Sequence, residues 1–341
     1  MKRFAAAAAI TLLLIACGPL MPRDRGPRAG PPRSDPPPAQ DPAERTPPSD
    51  PPSSPQSTQE YPGTRSFGPS VAGTLTIGAI ADCQYADQPD NGLRLYRRSP
   101  QKLREAVADL NASGPSFTVH LGDFTDTGWD AFKTVAPIYA TLATPAYFVL
   151  GNHEFAVPDE RKPQVPARLG IPQRYRDFSQ NGWRFVILDG NDVSLHAHPA
   201  GSAAQLDARA FRDRIAPGAG DSGGAVGMVQ LTWLDVVLAE ADAAGESAVV
   251  MCHFPLLPSN GTTLWNAPEV IAVLRAHPCV KLYLAGHDHA GAYVEQFGIH
   301  FLTLQGMLDT PDNAYATISL TPREIAVDGR GRVPDRKLAL R

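Results

Sequence analysis

The sequence predicts a mixed α/β sandwich in residues 71–341, preceded by an export segment and a proline-rich linker. Three features of the chain support this prediction. Short apolar runs of strand length recur, helical patterns separate the early runs, and polar residues follow where several runs stop. Strands that first alternate with helices and later follow one another directly are typical of this architecture. About 270 residues suffice for one such domain.

The first half of the domain alternates between strands and helices. An apolar run at 75–81 stops at Asp82 and predicts a buried strand. Ser99 and Pro100 supply an N-cap and a proline at the first helical position, and the apolar spacing that follows predicts a helix. Two further strands are predicted at 117–121 and 146–150.

The second half contains one more helix, and strands then predominate. The apolar run at 183–188 predicts a strand, and helical spacing of leucine and valine predicts a helix at 230–241. The remaining strands are predicted at 248–252, 281–285, 301–304 and 315–318. Polar loops at the ends of such strands commonly carry the function of the fold.

The first residues have the pattern of an export signal. Met1-Lys2-Arg3 is basic, and the apolar run that follows is too short to span a bilayer comfortably. The run ends in Leu14-Ile15-Ala16-Cys17-Gly18, which resembles the bacterial lipobox; this implies removal of residues 1–16 and acylation of Cys17. The alternative is an ordinary signal peptide with an incidental cysteine. We expect a lipoprotein of the bacterial cell envelope, on its periplasmic or outer surface, without a transmembrane helix.

Residues 17–70 are rich in proline and polar residues and hold few large apolar ones. This composition cannot bury a core, so it predicts a disordered, semi-rigid spacer between the anchor and the domain, with a proline-motif ligand as the alternative. The formal net charge of −4 does not indicate nucleic acid as a partner, and we expect a monomer. Three cysteines remain after the anchor, an odd number that predicts buried free thiols: Cys83, Cys252 and Cys279.

Five polar clusters follow predicted strands. Any one of them is a weak signal, because Asp, Asn and His at such positions are often caps or turn formers. Together they offer carboxylate, amide and imidazole donors at one sheet edge, a mixed oxygen and nitrogen set that Mn²⁺, Fe or Zn²⁺ accepts. The clusters are Asp82-Cys83-Gln84, Gly122-Asp123, Gly151-Asn152-His153-Glu154, His253 and Gly286-His287-Asp288-His289.

The order of these clusters resembles the motifs of the calcineurin-like metallophosphoesterases over nearly the whole domain. The resemblance implies a four-layer α/β/β/α sandwich with two metal ions bridged by Asp123, which would take part directly in catalysis. It implies one metal site completed by Asp82, Gln84 and His289, and another completed by Asn152, His253 and His287. His153 would be the outer acid, or alternatively a histidine that only orients Asp123.

Gln84 departs from the pattern of most family members, which have histidine at this position. A neutral amide oxygen is a harder and weaker donor than imidazole, so the site is expected to favour Mn²⁺, with Fe or Zn²⁺ as alternatives. The segment 80–87 is similar to the opening motif of the manganese-dependent ADP-ribose/CDP-alcohol diphosphatases, which carry glutamine there. Other similar stretches are Tyr96-Arg97 with Ser99, 230–234, Trp265-Asn266 and 329–336.

This resemblance implies a metal-dependent phosphohydrolase that cleaves the diphosphate bond of ADP-ribose, CDP-alcohols or similar nucleoside diphosphate derivatives. Two cations a few ångströms apart would lower the pKa of a bridging water, so that hydroxide attacks phosphorus in line with the leaving group. Because the substrates of this subfamily are mainly cytoplasmic, export keeps a second hypothesis open, a broad phosphomonoesterase or phosphodiesterase for phosphate scavenging. A third is a non-catalytic surface binding module.

Five side chains are candidates for substrate binding. Tyr85 and Trp265 could stack on a nucleobase, although aromatic residues in loops are more often packing residues. Arg97, Arg330 and Arg332 could bind phosphate oxygens through their forked N–H groups. For the last two the alternative is a structural role in docking the C-terminus.

Several other polar residues receive structural interpretations. Asp126 follows the Gly-Asp motif and is expected to orient a ligand through a hydrogen bond. His120 and His300 lie in or beside apolar runs and are predicted to be core or edge histidines. His196 and His198 fall in a polar loop and are interpreted as an incidental exposed pair rather than a third metal site.

Overall fold

The structure, a computed structural model, describes residues 73–340. The signal segment 1–16, the proposed lipidation at Cys17 and the linker 17–70 lie outside the described residues. Within residues 73–340, no helix combines the length and the apolarity needed to cross a bilayer.

The secondary structure alternates early and becomes strand-rich late, as the sequence predicts. In chain order the strands are β1 (Leu75–Ile80), β2 (Phe117–His120), β3 (Ala146–Phe148), β4 (Arg176–Gln180), β5 (Trp183–Ile187), β6 (Val193–Ser194), β7 (Gly224–Ala225), β8 (Ser247–Met251), β9 (Val280–Ala285), β10 (Ala292–Gln296), β11 (Ile299–Thr303), β12 (Ala314–Leu320), β13 (Glu324–Gly331) and β14 (Arg336–Ala339). The α-helices are α1 (Ser99–Ser113), α2 (Ala131–Tyr139), α3 (Val165–Arg168), α4 (Ala203–Ile215), α5 (Met228–Ala244) and α6 (Ala267–Ala276).

Two six-stranded sheets form the centre of the fold. The first has the order β14-β13-β12-β1-β2-β3, and the second has the order β10-β11-β9-β8-β5-β4. In the first sheet β1, β2 and β3 are parallel, and in the second β5, β8, β9 and β11 are parallel. The carboxyl ends of parallel neighbours share one edge of each sheet, which is where open α/β sheets place their functional loops.

The two sheets pack face to face and each carries helices on its outer face. The layer between them is apolar and includes Ile77, Phe117, Phe185 and Leu284. Apolar residues of α1 and α2 cover the outer face of the first sheet, and those of α5 and α6 cover the second. This arrangement confirms the predicted four-layer α/β/β/α sandwich.

The boundaries of several elements differ from those predicted. Ser99 is the first residue of α1 rather than its cap, and no side-chain cap bond is made there. The predicted helix at 230–241 extends over the whole of α5. Helix α4 was not predicted, because Ala208 is its one buried residue and its apolar pattern is therefore weak. Helix α2 was not predicted either, because it contains Pro137 and proline disfavours the interior of a helix.

Candidate metal centre

The predicted metal ligands all lie in loops that directly follow β1, β2, β3, β8 and β9. These loops bind one another through backbone groups: Gln84 N–H donates to Asp123 O at 2.8 Å, and Gly286 N–H donates to His253 O at 2.9 Å. Asp82, Gln84, Asp123 and His287 have positive φ angles of 52°, 43°, 54° and 68°. Such angles are unfavourable for residues with side chains and concentrate at functional sites, where the surrounding structure holds them.

Asp123 lies at the centre of the site and is almost fully buried. Its Oδ2 accepts a hydrogen bond from Gln84 Nε2 at 2.8 Å and lies 3.2 Å from His253 Nε2. Its Oδ1 accepts one from the backbone N–H of His153 at 2.9 Å. One carboxylate is therefore in contact with both halves of the predicted site, the position that a bridging ligand requires.

His253, Asn152 and His287 form one half of the site. His253 Nε2 lies 3.2 Å from Asn152 Oδ1 and 3.1 Å from His287 Nδ1. Donor atoms of Asp123, His253 and His287 all lie within 4.8 Å of one another. Four donor atoms, two imidazole nitrogens, an amide oxygen and a carboxylate oxygen, thus converge on one small volume, as they do around a bound cation.

Asp82, Gln84 and His289 form the other half. His289 Nε2 lies 3.7 Å from Asp82 Oδ1, and the Asp82 carboxylate also accepts the backbone N–H of His287 at 3.1 Å. The Oε1 of Gln84 is buried and has no hydrogen-bond partner among the described residues. A buried acceptor without a donor is costly unless a cation or water satisfies it. The donor set therefore fits two divalent cations, and Gln84 Oε1, left unpartnered while Nε2 binds Asp123, would help to hold one of them.

The charges of the site also call for cations. Asp82 and Asp123 are buried carboxylates whose ion-pair partners in residues 73–340 are histidines. Burial raises the pKa of Asp82 to about 6. Burial acts in the same direction on Asp123, but the neighbouring His253 and His153 hold its pKa well below the ordinary value. Buried carboxylates of this kind are normally paired or bound to metal.

The protein fixes which nitrogen of each imidazole faces the site. His253 Nδ1 lies 2.8 Å from Leu121 O, a carbonyl that can only accept, so Nδ1 carries the proton and Nε2 is free to bind metal. His289 Nδ1 lies 3.0 Å from Asp309 Oδ1, with the same consequence for its Nε2. The sequence pattern alone does not indicate a role for Asp309, although this residue follows the predicted strand at 301–304 much as the predicted ligands follow theirs.

Glu154, the last residue of the Gly-Asn-His-Glu cluster, supports the loops rather than the metals. Its buried carboxylate accepts backbone N–H groups of Asp123 at 3.1 Å and of Gly151 at 2.6 Å, and also that of Phe124. It therefore ties the loop after β2 to the loop after β3. The sequence pattern includes Glu154 but indicates no role for it.

His153 lies beside Asp123 and is held by Asp126. His153 Nδ1 is 3.0 Å from the backbone oxygen of Asp126 and 3.2 Å from its carboxylate, which leaves Nε2 as the nitrogen that can reach a substrate. Burial alone would lower the pKa of His153, but Asp123 and Asp126 raise it to about 10. Asp126 thus orients the predicted acid rather than one of the seven metal ligands.

The candidates for substrate binding lie in different environments. Tyr85 is partly buried and pairs through its backbone with Thr125 in the loop that contains Asp123. Arg97 forms an exposed ion pair with Asp87 at 2.7 Å. Trp265 is only 6% exposed and packs in an apolar cluster, so the structure describes a packing residue with little ring surface for a base.

The two C-terminal arginines have different partners. Arg330 pairs with Asp109 at 3.2 Å and Asp328 at 2.5 Å, so it joins β13 to α1. Arg332 donates to the backbone oxygens of Gly306 and His289, which places it against the loop that carries a metal ligand. Both arginines thus make the contacts expected for the alternative, a structural role in docking the C-terminus.

The remaining histidines and cysteines mostly follow expectation. His120 and His300 are buried, and His300 is hydrogen bonded to Tyr293 and Ala339, as predicted for core residues. His196 and His198 are partly buried rather than exposed, because Ser194 and Lys162 hold their backbones against the domain. The prediction of buried free thiols is confirmed for all three cysteines.

Comparison with known proteins agrees with this geometry. Residues 75–291 match the model of the calcineurin-like phosphoesterase family. The chain is 30% identical to the manganese-dependent ADP-ribose/CDP-alcohol diphosphatase of Xenopus tropicalis, over 78% of this chain and 94% of that protein. It is 32% identical to the Arabidopsis thaliana protein of the same name, over 71% of this chain and 89% of that protein. A dimetal phosphatase from Danio rerio superposes with a TM-score of 0.71 at 29% identity, covering 78% of this chain and 99% of that structure.

Proposed function

The chain belongs to the calcineurin-like phosphoesterase family, and we propose that it is a manganese-dependent hydrolase of the diphosphate bond in ADP-ribose, CDP-alcohols or similar nucleoside diphosphate derivatives. The observation that carries the proposal is a continuous series of contacts, 2.8 to 3.7 Å long, that links all seven ligand residues. The relatives that match most of this chain are named for that activity and for manganese.

Four residues of the site have a defined task in this reaction. When bound, the two cations supply charge neutralisation of the phosphate and a water of lowered pKa. Asp123 joins the two halves of the site and fixes their spacing. Gln84 provides a neutral oxygen donor, which suits Mn²⁺. Asp126 holds Nδ1 of His153, so that Nε2 can donate its proton to the departing phosphate oxygen.

A substrate panel with Mn²⁺ tests this proposal. We expect ADP-ribose or a CDP-alcohol to be cleaved fastest, to a nucleoside monophosphate and a phosphorylated second product. Nucleoside monophosphates and bis-p-nitrophenyl phosphate serve as the monoester and simple diester comparisons. Monoesters cleaved far faster than every diphosphate would instead identify a scavenging phosphatase.

Asn152→Ala, which removes one predicted metal ligand, tests whether the activity in this panel depends on the site. The change removes an amide oxygen beside His253, so both Mn²⁺ binding and hydrolysis should decrease. Asn111→Ala, at an exposed position near the end of α1, should preserve both. Unchanged activity and Mn²⁺ stoichiometry in Asn152→Ala would remove this residue from the site.

We further propose that the protein is exported and anchored in the bacterial envelope through acylated Cys17. The basic start, the short apolar run and the lipobox-like segment support this location. Cys17→Ser should abolish labelling by a fatty-acid analogue and prevent the removal of residues 1–16. Cys279→Ser, which alters a buried free thiol, should leave labelling and removal unchanged. Labelling of Cys17→Ser at the wild-type level would contradict the anchor.

A further inference from the structure

The loop formed by residues 304–310, directly after β11, packs against both loops that carry one half of the metal site. Met307 N–H donates to Ala81 O at 2.8 Å and Leu308 N–H donates to Asp82 O at 2.9 Å. Gly306 N–H donates to His289 O at 3.2 Å. The 304–310 loop is therefore hydrogen bonded to the segments of Asp82 and of His289.

Gly306 permits this close approach. A Cβ atom at this position would lie 2.8 Å from Cγ of His289 and 3.1 Å from Cβ of Asp82. The first distance is too short for a real side chain, so the loop contacts these two ligands because residue 306 has none.

Asp309, in the same loop, contacts the imidazole of His289. Its Oδ1 lies 3.0 Å from His289 Nδ1, while Nε2 on the other side of the ring faces Asp82. An ionised carboxylate can accept hydrogen bonds but cannot donate them, so Nδ1 of His289 is the protonated nitrogen. The lone pair of Nε2 then points toward the other predicted ligands. His253 uses a backbone carbonyl for the same purpose, whereas His289 has a negatively charged partner.

We propose that Asp309 is a positioning residue that fixes His289 as a metal ligand and strengthens its donation. A carboxylate behind a metal-binding imidazole raises its basicity and holds the ring in place. His289 belongs to the same half of the site as Gln84, whose neutral amide is a weak donor. The Asp309–His289 pair thus offsets the weaker binding that glutamine brings. This inference rests on the dinuclear site of the proposed function.

Two basic side chains, those of Lys102 and Arg332, hold the 304–310 loop and therefore Asp309. The buried ammonium of Lys102, on α1, donates to the backbone oxygens of Met307 at 2.5 Å, Asp309 at 3.1 Å and Thr310 at 2.6 Å. These three bonds use all three donors of the lysine. On the other side, Arg332 donates to the backbone oxygen of Gly306. The position of Asp309 is thus set by one side chain from α1 and one from the residue that follows β13.

A Mn²⁺ titration of the full chain, after removal of metal with a chelator, tests the proposal. Electron paramagnetic resonance measures the free Mn²⁺ at each step. Asp309→Ala should lower the affinity for one of the two Mn²⁺ ions by about 10- to 100-fold and leave the affinity for the other near its wild-type value. Asp309→Asn keeps the shape and loses the charge, so its loss should be smaller, and Asp309→Glu should restore most of the affinity. Asp312→Asn removes an exposed charge three residues away and should bind both ions normally.

Two results would overturn the proposal. Wild-type affinities for both ions in Asp309→Ala would show that His289 does not depend on this carboxylate. Equal weakening of both ions, with a lowered melting temperature and no rescue by Asp309→Glu, would indicate a role in folding alone. If Asp309→Ala does not fold, the comparison of Asp309→Asn with Asp312→Asn decides in the same way. Two tightly bound Mn²⁺ ions without diphosphate hydrolysis would refute the proposed function and leave this inference standing.

Discussion

Gln84 donates a hydrogen bond from Nε2 to Oδ2 of Asp123 at 2.8 Å, while its Oε1 is buried without a partner among residues 73–340. The bond fixes the orientation of the amide, because the nitrogen must face the carboxylate. The oxygen is therefore the atom of Gln84 that is left to bind a cation. Gln84 is thus both a predicted ligand and a support of the central carboxylate.

Replacing Gln84 with histidine should change the metal preference. Imidazole is a softer and stronger donor than an amide oxygen, so Gln84→His should shift activation from Mn²⁺ toward Zn²⁺ or Fe, by about tenfold in the activity ratio. Metal-free protein reconstituted with each metal provides the measurement. Gln101→His, at an exposed position of α1, should keep the wild-type profile. Identical profiles for Gln84→His and the wild type would refute this account of the site.

His153 should act mainly on the rate of hydrolysis. If it protonates the leaving group, His153→Ala should lower kcat for ADP-ribose by about 100- to 10,000-fold while Mn²⁺ binding is retained. The loss should be much smaller for bis-p-nitrophenyl phosphate, because p-nitrophenolate leaves without protonation. Asp126→Asn should show a weaker form of the same pattern, since Asp126 holds His153 Nδ1. An equal loss with both substrates would assign His153 to orientation of Asp123 or of the phosphate.

Adding a methyl group at Gly151 should disrupt the centre of the site. A Cβ at this position would overlap the backbone nitrogen and Oδ1 of Asp123. Gly151→Ala should cost on the order of 1–3 kcal/mol in the free energy of unfolding and weaken Mn²⁺ binding by at least about tenfold. Denaturant unfolding and Mn²⁺ titration measure the two effects. At Gly261 a Cβ would meet nothing within 4 Å, so Gly261→Ala serves as the neutral control.

His277 should make stability depend on pH. It lies 2.8 Å from Asp242 and 3.1 Å from Asp235, both on α5. Burial opposes protonation, but these two carboxylates raise the pKa of His277 above its ordinary value of 6.5. A histidine whose pKa is higher in the folded than in the unfolded chain stabilises the fold fully at pH values below its pKa in the unfolded chain. This stabilisation is lost as the pH rises through its pKa in the folded chain.

The cost of His277→Gln should therefore be larger at pH 5.5 than at pH 9. Urea unfolding of both proteins at saturating Mn²⁺ measures the free energy difference at each pH. Adding Asp235→Asn completes a double-mutant cycle, and its coupling energy should decrease as pH rises. A cost that stays constant between the two pH values would exclude the charged pair as the source of stability.

The sequence was most informative where local chemistry and strand patterns coincide. The positions of Asp82, Asp123 and His253 could be predicted because a buried strand has a clear apolar pattern and a polar residue ends it. The pattern was less informative for α4, which is largely exposed, and for the environment of Trp265, which is buried by residues far from it in the chain. Burial of that kind depends on packing rather than on local spacing.

The sequence by itself determined the fold class and the set of seven predicted metal ligands with its unusual glutamine, because these follow from residue type and order. The tertiary structure decided how the ligands are supported. Asp309 reaches His289, Glu154 ties two loops together, and Lys102 on α1 holds a loop about 200 residues further along the chain. These contacts form only when the two sheets pack and bring distant loops to one edge. The identity of the predicted ligands is therefore a local property, and their geometry is a property of the whole domain.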